Sequence, residues 1–381
     1  MADRAAEDLA TIQDRFDQFA ASFPDLTLYR RLAVGCARDP EVAGLLLAAR
    51  PGQARPVLLF AAVHDLVLRR PELVLARWYS SVTAPEDLAT GDAWPEFRRT
   101  VLEHRDELVP VIATRATQTN EVNRSVLVAV LLAAACSDVA ATPVHLLELG
   151  SSAGLLLSPD RYRIDIAGAV VGDPASGVRV AGELRGSIEP DLTSFPSTIA
   201  ERLGIDRDPV SIDDADRVRW LEACLWPDQP WRIDRFVAAV AIAATDPPRL
   251  RAGDMIELLP EILAASGSPG RPGAGAHVVI MNLWSLTYVD RALRRSVVDR
   301  LAEAATRHHA LSWITAEPPG CVPGIDPPPW NGERAGIADE AGRPDTVLGV
   351  RRWRDGRELA PATLGWAHPH GNWIQLVDGA A

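Results

Sequence analysis

Apolar residues recur at spacings of three and four through the first 140 positions. DLATIQDRFDQFAASF, LYRRLAVGCA, PVLLFAAVHDLVLRR and NRSVLVAVLLAAAC each carry such a stripe, with Pro40, Pro51, Pro56, Pro71 and Pro110 as punctuation. The pattern predicts an all-α N-terminal lobe over residues 1–141. From 142 the texture changes. VHLLELG is a short apolar run ending in glycine, as expected of a strand buried on both faces. YRIDIAGAVVGD and VRVAGELRGSI predict a hairpin inserted at about 160–200. LGIDRDPVSI predicts a strand ending in acids, followed by a long helix from about Asp214 to Ala244. RLRAGDMIELLPEIL reads as strand, acidic turn and helix. HVVIMNLWSLTYV and ALSWITAEPPG read as strands around the helix RALRRSVVDRLAEAATR, and VLGVRRW and GNWIQLV as an antiparallel pair at the sheet edge. This alternation predicts an α/β domain over 142–381, with a doubly wound, mostly parallel sheet covered on both faces. The Pro/Gly-rich stretches Ser266 to Ala276 and Glu317 to Gly336 read as loops. The second reads as a surface excursion, with a lid as the alternative.

In such a sheet, ligands bind beyond the carboxyl ends of the strands. The segment Glu148-Leu-Gly150-Ser-Ser-Ala-Gly154 has that placement. Gly150 allows a sharp backbone turn, Gly154 would let a helix start lie against a ligand, and the exposed N–H groups there favour an anion. The spacing ExGxxxG departs from the dinucleotide pattern GxGxxG. It fits the first motif of the Rossmann-like S-adenosylmethionine-dependent methyltransferase fold. On that reading Glu148, Gly150 and Gly154 hold the cofactor with two later strand-end acids. Asp206 would take the ribose hydroxyls and Asp254 the adenine amine, although an acid at such a position can also be a helix cap. Asn282 and Trp284 follow the fourth strand, where the reacting group would lie.

The chain resembles the bacterial domain of unknown function family 2332 over nearly its full length. The resemblance rests on LLFAAVHDLVL, QTNEVNR, ELGSSAGL with DRY, GIDRDPVSIDD, RWLEACLWPDQ and HPHG. It implies a methyltransferase-like domain behind a helical lobe and brings no established reaction. Where the family usually reads SAGLN, this chain has Leu156 in place of the asparagine. Either an amide that contacts a ligand is lost, or the swap is a tolerated one on a packed face.

Composition narrows the chemistry. A net charge of −12 opposes broad nucleic-acid binding. No apolar run is long enough to span a bilayer, the best being Val126 to Cys136, and the N-terminal pattern is an amphipathic helix, so a cytoplasmic protein is expected. All 39 basic residues are arginine. Without lysine there is no Walker phosphate loop, no Schiff base and no pyridoxal phosphate aldimine. Cys36, Cys136, Cys224 and Cys321 lie far apart, and His368 and His370 have no carboxylate cluster beside them, so no metal is expected.

QTNEVNR places Asn120, Glu121 and Arg124 just before a strongly apolar helix. They can form a capped helix start with an ion pair, but their density favours the polar wall of a pocket. His64 reads as a core histidine and, if geometry allows, as an alternative to Glu121 for accepting a proton. Arg161 and Tyr162 follow the glycine turn closely enough to line its mouth, and His370 could face a substrate.

Two reactions suit these residues. The first is methyl transfer from S-adenosylmethionine to a small molecule by in-line displacement. The second needs no cofactor: Arg124 or Arg161 would stabilise a sulfate or phosphate leaving group while an amine of the same substrate closes a strained ring, as in aziridine formation. A non-catalytic binding protein on the same fold is the third reading. The substrate is expected to be small, anionic or carrier-bound, and a partner protein or a homo-oligomer remains open.

Overall fold

A computed structural model describes residues 2–139, 142–266, 275–330 and 346–377. The chain divides into two compact units, one of Met1–Asn120 with Asp213–Val237 and one of Glu121–Ile212 with Ala238–Ala381. Most of the loop expected at Ser266 to Ala276, and the last part of that expected at Glu317 to Gly336, lie outside the described residues.

The first unit contains α1 (Ala2–Ser22), α2 (Leu28–Arg38), α3 (Pro40–Ala43), α4 (Pro56–Arg69), α5 (Trp94–Glu103) and α6 (Arg105–Thr114). Its core gathers Phe16, Tyr29, Leu32, Phe60 and Phe97, all essentially inaccessible to solvent. The aromatic rings meet edge-on or tilted, Tyr29 and Phe60 at 4.6 Å. Asp228, far along the chain, accepts the amides of Leu28 (2.6 Å) and Tyr29 (3.0 Å) and so anchors the start of α2.

The next helix, α7 (Ser125–Cys136), opens the second unit. SVLVAVLLAAAC is apolar on every side, and all but one of its residues are buried. A helix of that kind needs a covering on every face. It packs on the sheet, which is why the helical unit stops at Asn120 and not at 141. The sheet strands begin with β1 (Val144–Leu149), β2 (Arg163–Ile166), β3 (Ala169–Gly172), β4 (Arg179–Leu184) and β5 (Ile199–Asp206). The single helix expected from Asp214 to Ala244 is two, α8 (Ala215–Ala223) and α9 (Pro230–Thr245), because the prolines of WPDQP interrupt it. There follow β6 (Arg249–Ala252), α10 (Met255–Ser266), β7 (His277–Leu283), α11 (Arg291–Ala305) and β8 (Ala310–Glu317). The chain ends in β9 (Thr346–Arg354), β10 (Arg357–Glu358), β11 (Ala362–Ala367) and β12 (Trp373–Leu376).

Among the described residues the strands form one sheet in the order β3-β2-β4-β12-β11-β9-β8-β7-β1-β5-β6, with β10 beside β9. β6, β5, β1, β7 and β8 run parallel, and the chain changes direction between β1 and β7. The expected terminal pair is a three-stranded antiparallel set, β9, β11 and β12. The expected insertion is the β2–β3 hairpin plus β4, joined to the same sheet through β12. Leu147, Leu149, Val278, Ile280 and Trp313 point from the sheet into the core under α10 and α11, while α7 packs on β8 and β9. Among the described residues no helix is long and apolar enough to cross a membrane.

Candidate functional site

The glycine turn leaves β1 between β5 and β7. Gly150 has φ 87° and Gly154 φ 70°, both left-handed, and Ser152 adopts φ 50° without being glycine. The amides of Gly150 (2.8 Å) and Ser151 (3.2 Å) donate to the Ile205 carbonyl, and Gly154 donates to Ser151 at 2.7 Å. A β-carbon on Gly150 would lie 2.5 Å from Cβ of Ser285, and one on Gly154 2.9 Å from Pro248. The turn is therefore closed by its own bonds and neighbours. No α-helix follows it: two short 3-10 turns, Leu155–Leu157 and Pro159–Arg161, lead straight into β2. The expected helix N-terminus, with its favourable field for an anion, is absent, because Pro159 arrives five residues after Gly154.

The strand-end acids are engaged as well. Asp206 accepts the amide of Ser152 on one oxygen (2.8 Å) and that of Asp208 on the other (2.9 Å). Asp254 caps α10 through the amide of Ile256 (2.8 Å) and pairs with Arg207 at 2.8 Å. That guanidinium holds the Asp254 carboxyl below its usual range.

The DRY residues brace the same turn. Asp160 accepts the Ile199 amide (2.9 Å) and both of its oxygens meet Arg202, in a pair almost closed to solvent. Arg161 pairs with Asp246. Tyr162 is fully buried and its hydroxyl donates to the Leu155 carbonyl at 2.6 Å, with burial raising its pKa. Leu156 sits in the first of the two 3-10 turns.

Two motifs nearly 250 residues apart meet at the 3-10 turn Val122–Arg124. Glu121 caps this turn by accepting the Asn123 amide at 3.0 Å. Asn123 exchanges bonds with Ala181 of β4 and donates to the His370 carbonyl. Arg124 donates through Nε to the Pro369 carbonyl at 2.9 Å. Gly371, at φ 74°, lies so close that a β-carbon would overlap the Asn123 carbonyl. QTNEVNR thus holds the HPHG turn in place. The ring of His370 lies 5.4 Å from that of His368.

Asn282 donates to the Leu149 carbonyl (3.3 Å) and to Ser285 (2.8 Å) and accepts from Trp313 (2.9 Å), so its amide knits the ends of β1 and β7. Trp284 has φ 57° and donates to Thr346 at 2.9 Å. A strained non-glycine residue at a strand end is a recurrent mark of functional sites.

Two buried carboxyls stand out beside Arg124. Glu148 is 4% exposed, and its Oε2 has no hydrogen-bonding partner within the protein. Burial raises its pKa well above the usual range, the charge of Asp206 adds to this, and Arg124 opposes it. Glu317, at the end of β8, is wholly buried. Its Oε1 accepts the amides of Ser285 and Leu286, both at 2.8 Å, while Oε2 has no partner. Burial pushes the Glu317 carboxyl up to about 7 against the pull of those amides and of Arg124. The thiol of Cys321, within hydrogen-bonding reach of this carboxyl, is pushed up to about 11 by burial and by the Glu317 charge and stays protonated. Ser151 adds a third buried oxygen without a partner.

Sequence reasoning missed Glu317, although the signal matched that of Glu148: an acid ending an apolar parallel strand. His64 lies in the helical unit. Its Nδ1 meets the carbonyls of Ala223 and Leu225 (both 3.1 Å) and its Nε2 meets Ser81 (2.8 Å), while burial lowers its pKa to about 4. Asn120 ends the helical unit. Among the described residues no three His, Cys, Asp or Glu side chains converge as a metal site would require.

The pattern of a bacterial family described as an uncharacterized protein conserved in bacteria, DUF2332, matches residues 13–376. The chain belongs to that family. No curated protein and no solved structure matches it.

Proposed function

We propose that this member of the family is an enzyme that displaces an anionic leaving group, such as sulfate or phosphate, from a small molecule at the C-terminal ends of β1, β7 and β8. The strand order β6-β5-β1-β7-β8 supports a ligand there, since it is the doubly wound order in which ligands sit at the switch between neighbouring strands. The observation that carries the reading is Glu317: a buried carboxyl with one bare oxygen, poised near neutrality, within the field of Arg124.

S-adenosylmethionine would need Glu148, Asp206, Asp254 and the amides of the glycine turn. Asp206 would have to release Ser152 and Asp208 to take a ribose, and Asp254 would have to release both Arg207 and the start of α10. The residues as held do not suit that cofactor, so the reaction is derived without it.

An amine of the substrate attacks the carbon that bears the leaving group. The C–N bond forms as the C–O bond breaks, and the oxygen departs with the bonding pair. The ammonium proton passes to Oε2 of Glu317, and Arg124 offsets the charge growing on the leaving group. Burial pushes Glu148 toward its protonated form, in which it can donate a hydrogen bond to that group. Ring closure follows when amine and leaving group are on adjacent carbons.

The test is release of sulfate from vicinal amino-alkyl sulfate esters. The expected rate rises with pH through about 7 and is lost in Glu317→Gln. Turnover that persists in Glu317→Gln, or that requires added S-adenosylmethionine, would refute the proposal.

A further inference from the structure

A cleft of about 480 Å³ opens at the opposite end of the parallel strands. Its floor is one face of the sheet. Register sets His145 of β1 beside Glu201 of β5, and Leu147 beside Leu203 and then Arg249 of β6. The C-terminal half of α10 forms the other wall with Glu261 and Ile262. Volumes of this size hold small metabolites.

The polar groups here are arranged by sign. Arg249 pairs with Glu201 at 3.1 Å and Arg251 with Glu261 at 3.3 Å, and all four side chains are between 36% and 66% exposed. Ion pairs so open to water are weak and can part for a ligand that satisfies both members. His145 is 7% exposed, yet its Nδ1 has no hydrogen-bonding partner; the nearest carboxylate oxygen, on Glu201, is 3.6 Å away. Burial, followed by Arg249, lowers the pKa of His145 against the pull of Glu201, so the ring offers a hydrogen bond and not a charge. A simple anion would gain an arginine and strand a glutamate, and a simple cation would do the reverse. A ligand carrying both charges on an apolar body leaves neither unmatched.

We propose that this cleft binds an apolar α-amino acid as the free zwitterion. Its carboxylate meets Arg249, its ammonium meets Glu201, and its side chain lies on Leu147, Leu203 and Ile262. The site lies apart from Glu317 and Arg124 and does not depend on the reaction assigned to them.

Calorimetry on the full chain tests this with L-phenylalanine, 3-phenylpropionate and phenethylamine, which carry both charges, the negative one and the positive one. The zwitterion is expected to bind at least tenfold more tightly than either analogue. Arg249→Gln should remove most of its advantage over phenethylamine, and Glu201→Gln most of its advantage over phenylpropionate. In the unaltered protein the imidazole resonances of His145 should shift on titration. No heat with L-phenylalanine, equal binding of all three compounds, or binding unchanged in both variants would overturn the assignment.

Discussion

Ser152 donates its amide hydrogen to Oδ2 of Asp206 at 2.8 Å, and this bond ties the glycine turn to the end of β5. The acid that sequence pattern assigns to a ribose is thereby a brace for the loop. Asp206→Ala removes acceptors for two backbone amides. It should destabilise the α/β unit by about 2 kcal/mol. Urea unfolding would check the loss, and added S-adenosylmethionine should shift the melting of neither protein.

Gly371 makes a second prediction. Its left-handed φ and its overlap with the Asn123 carbonyl leave no room for a β-carbon. Gly371→Ala should cost about 2 kcal/mol or more and loosen the HPHG turn from Asn123 and Arg124. Gly177, with open space around it, is the control: Gly177→Ala should change stability by no more than about 1 kcal/mol. Equal effects would show that the docking of the two motifs is not tight.

Much of the parallel core was legible because buried strands announce themselves as short apolar runs, as VHLLEL does. The 3-10 turns after Gly154 were misread as a helix start, although Pro159, five residues on, leaves no room for one. The break between α8 and α9 was marked by Pro227 and Pro230 but lost in a long amphipathic stretch. What the sequence could not convey is where hydrogen bonds go. Asp206, Asp254, Asp160 and Tyr162 look alike as polar residues near a turn, and only geometry separates those whose capacity is spent from Glu148 and Glu317, which keep a bare oxygen.

His64 and Glu317 should make stability depend on pH in opposite senses. His64 titrates near 4 when folded and near 6.5 when unfolded, so the unfolded chain takes its proton first. The helical unit should lose about 3 kcal/mol as pH falls from 6.5 through 4. Hydrogen exchange resolved along the chain would show this, and His64→Gln should flatten it.

Glu317 works the other way. Its folded value near 7 lies above the ordinary 4.5, so its favourable state is the protonated one. Glu317 should contribute a loss of about 3 kcal/mol to the α/β unit as pH rises from 4.5 through 7. Glu317→Gln should remove that slope, leaving the variant more stable than the unaltered protein at pH 8.

The most direct measurement is an infrared titration of the buried carboxyls. A protonated-carboxyl band belonging to Glu317 should be present at pH 6, vanish by pH 8 with a midpoint near 7, and be missing from Glu317→Gln. If Glu317→Gln leaves every titrating band between pH 6 and 8 unchanged, Glu317 is not the group that takes the proton, and the assignment of the reactive site to it is wrong.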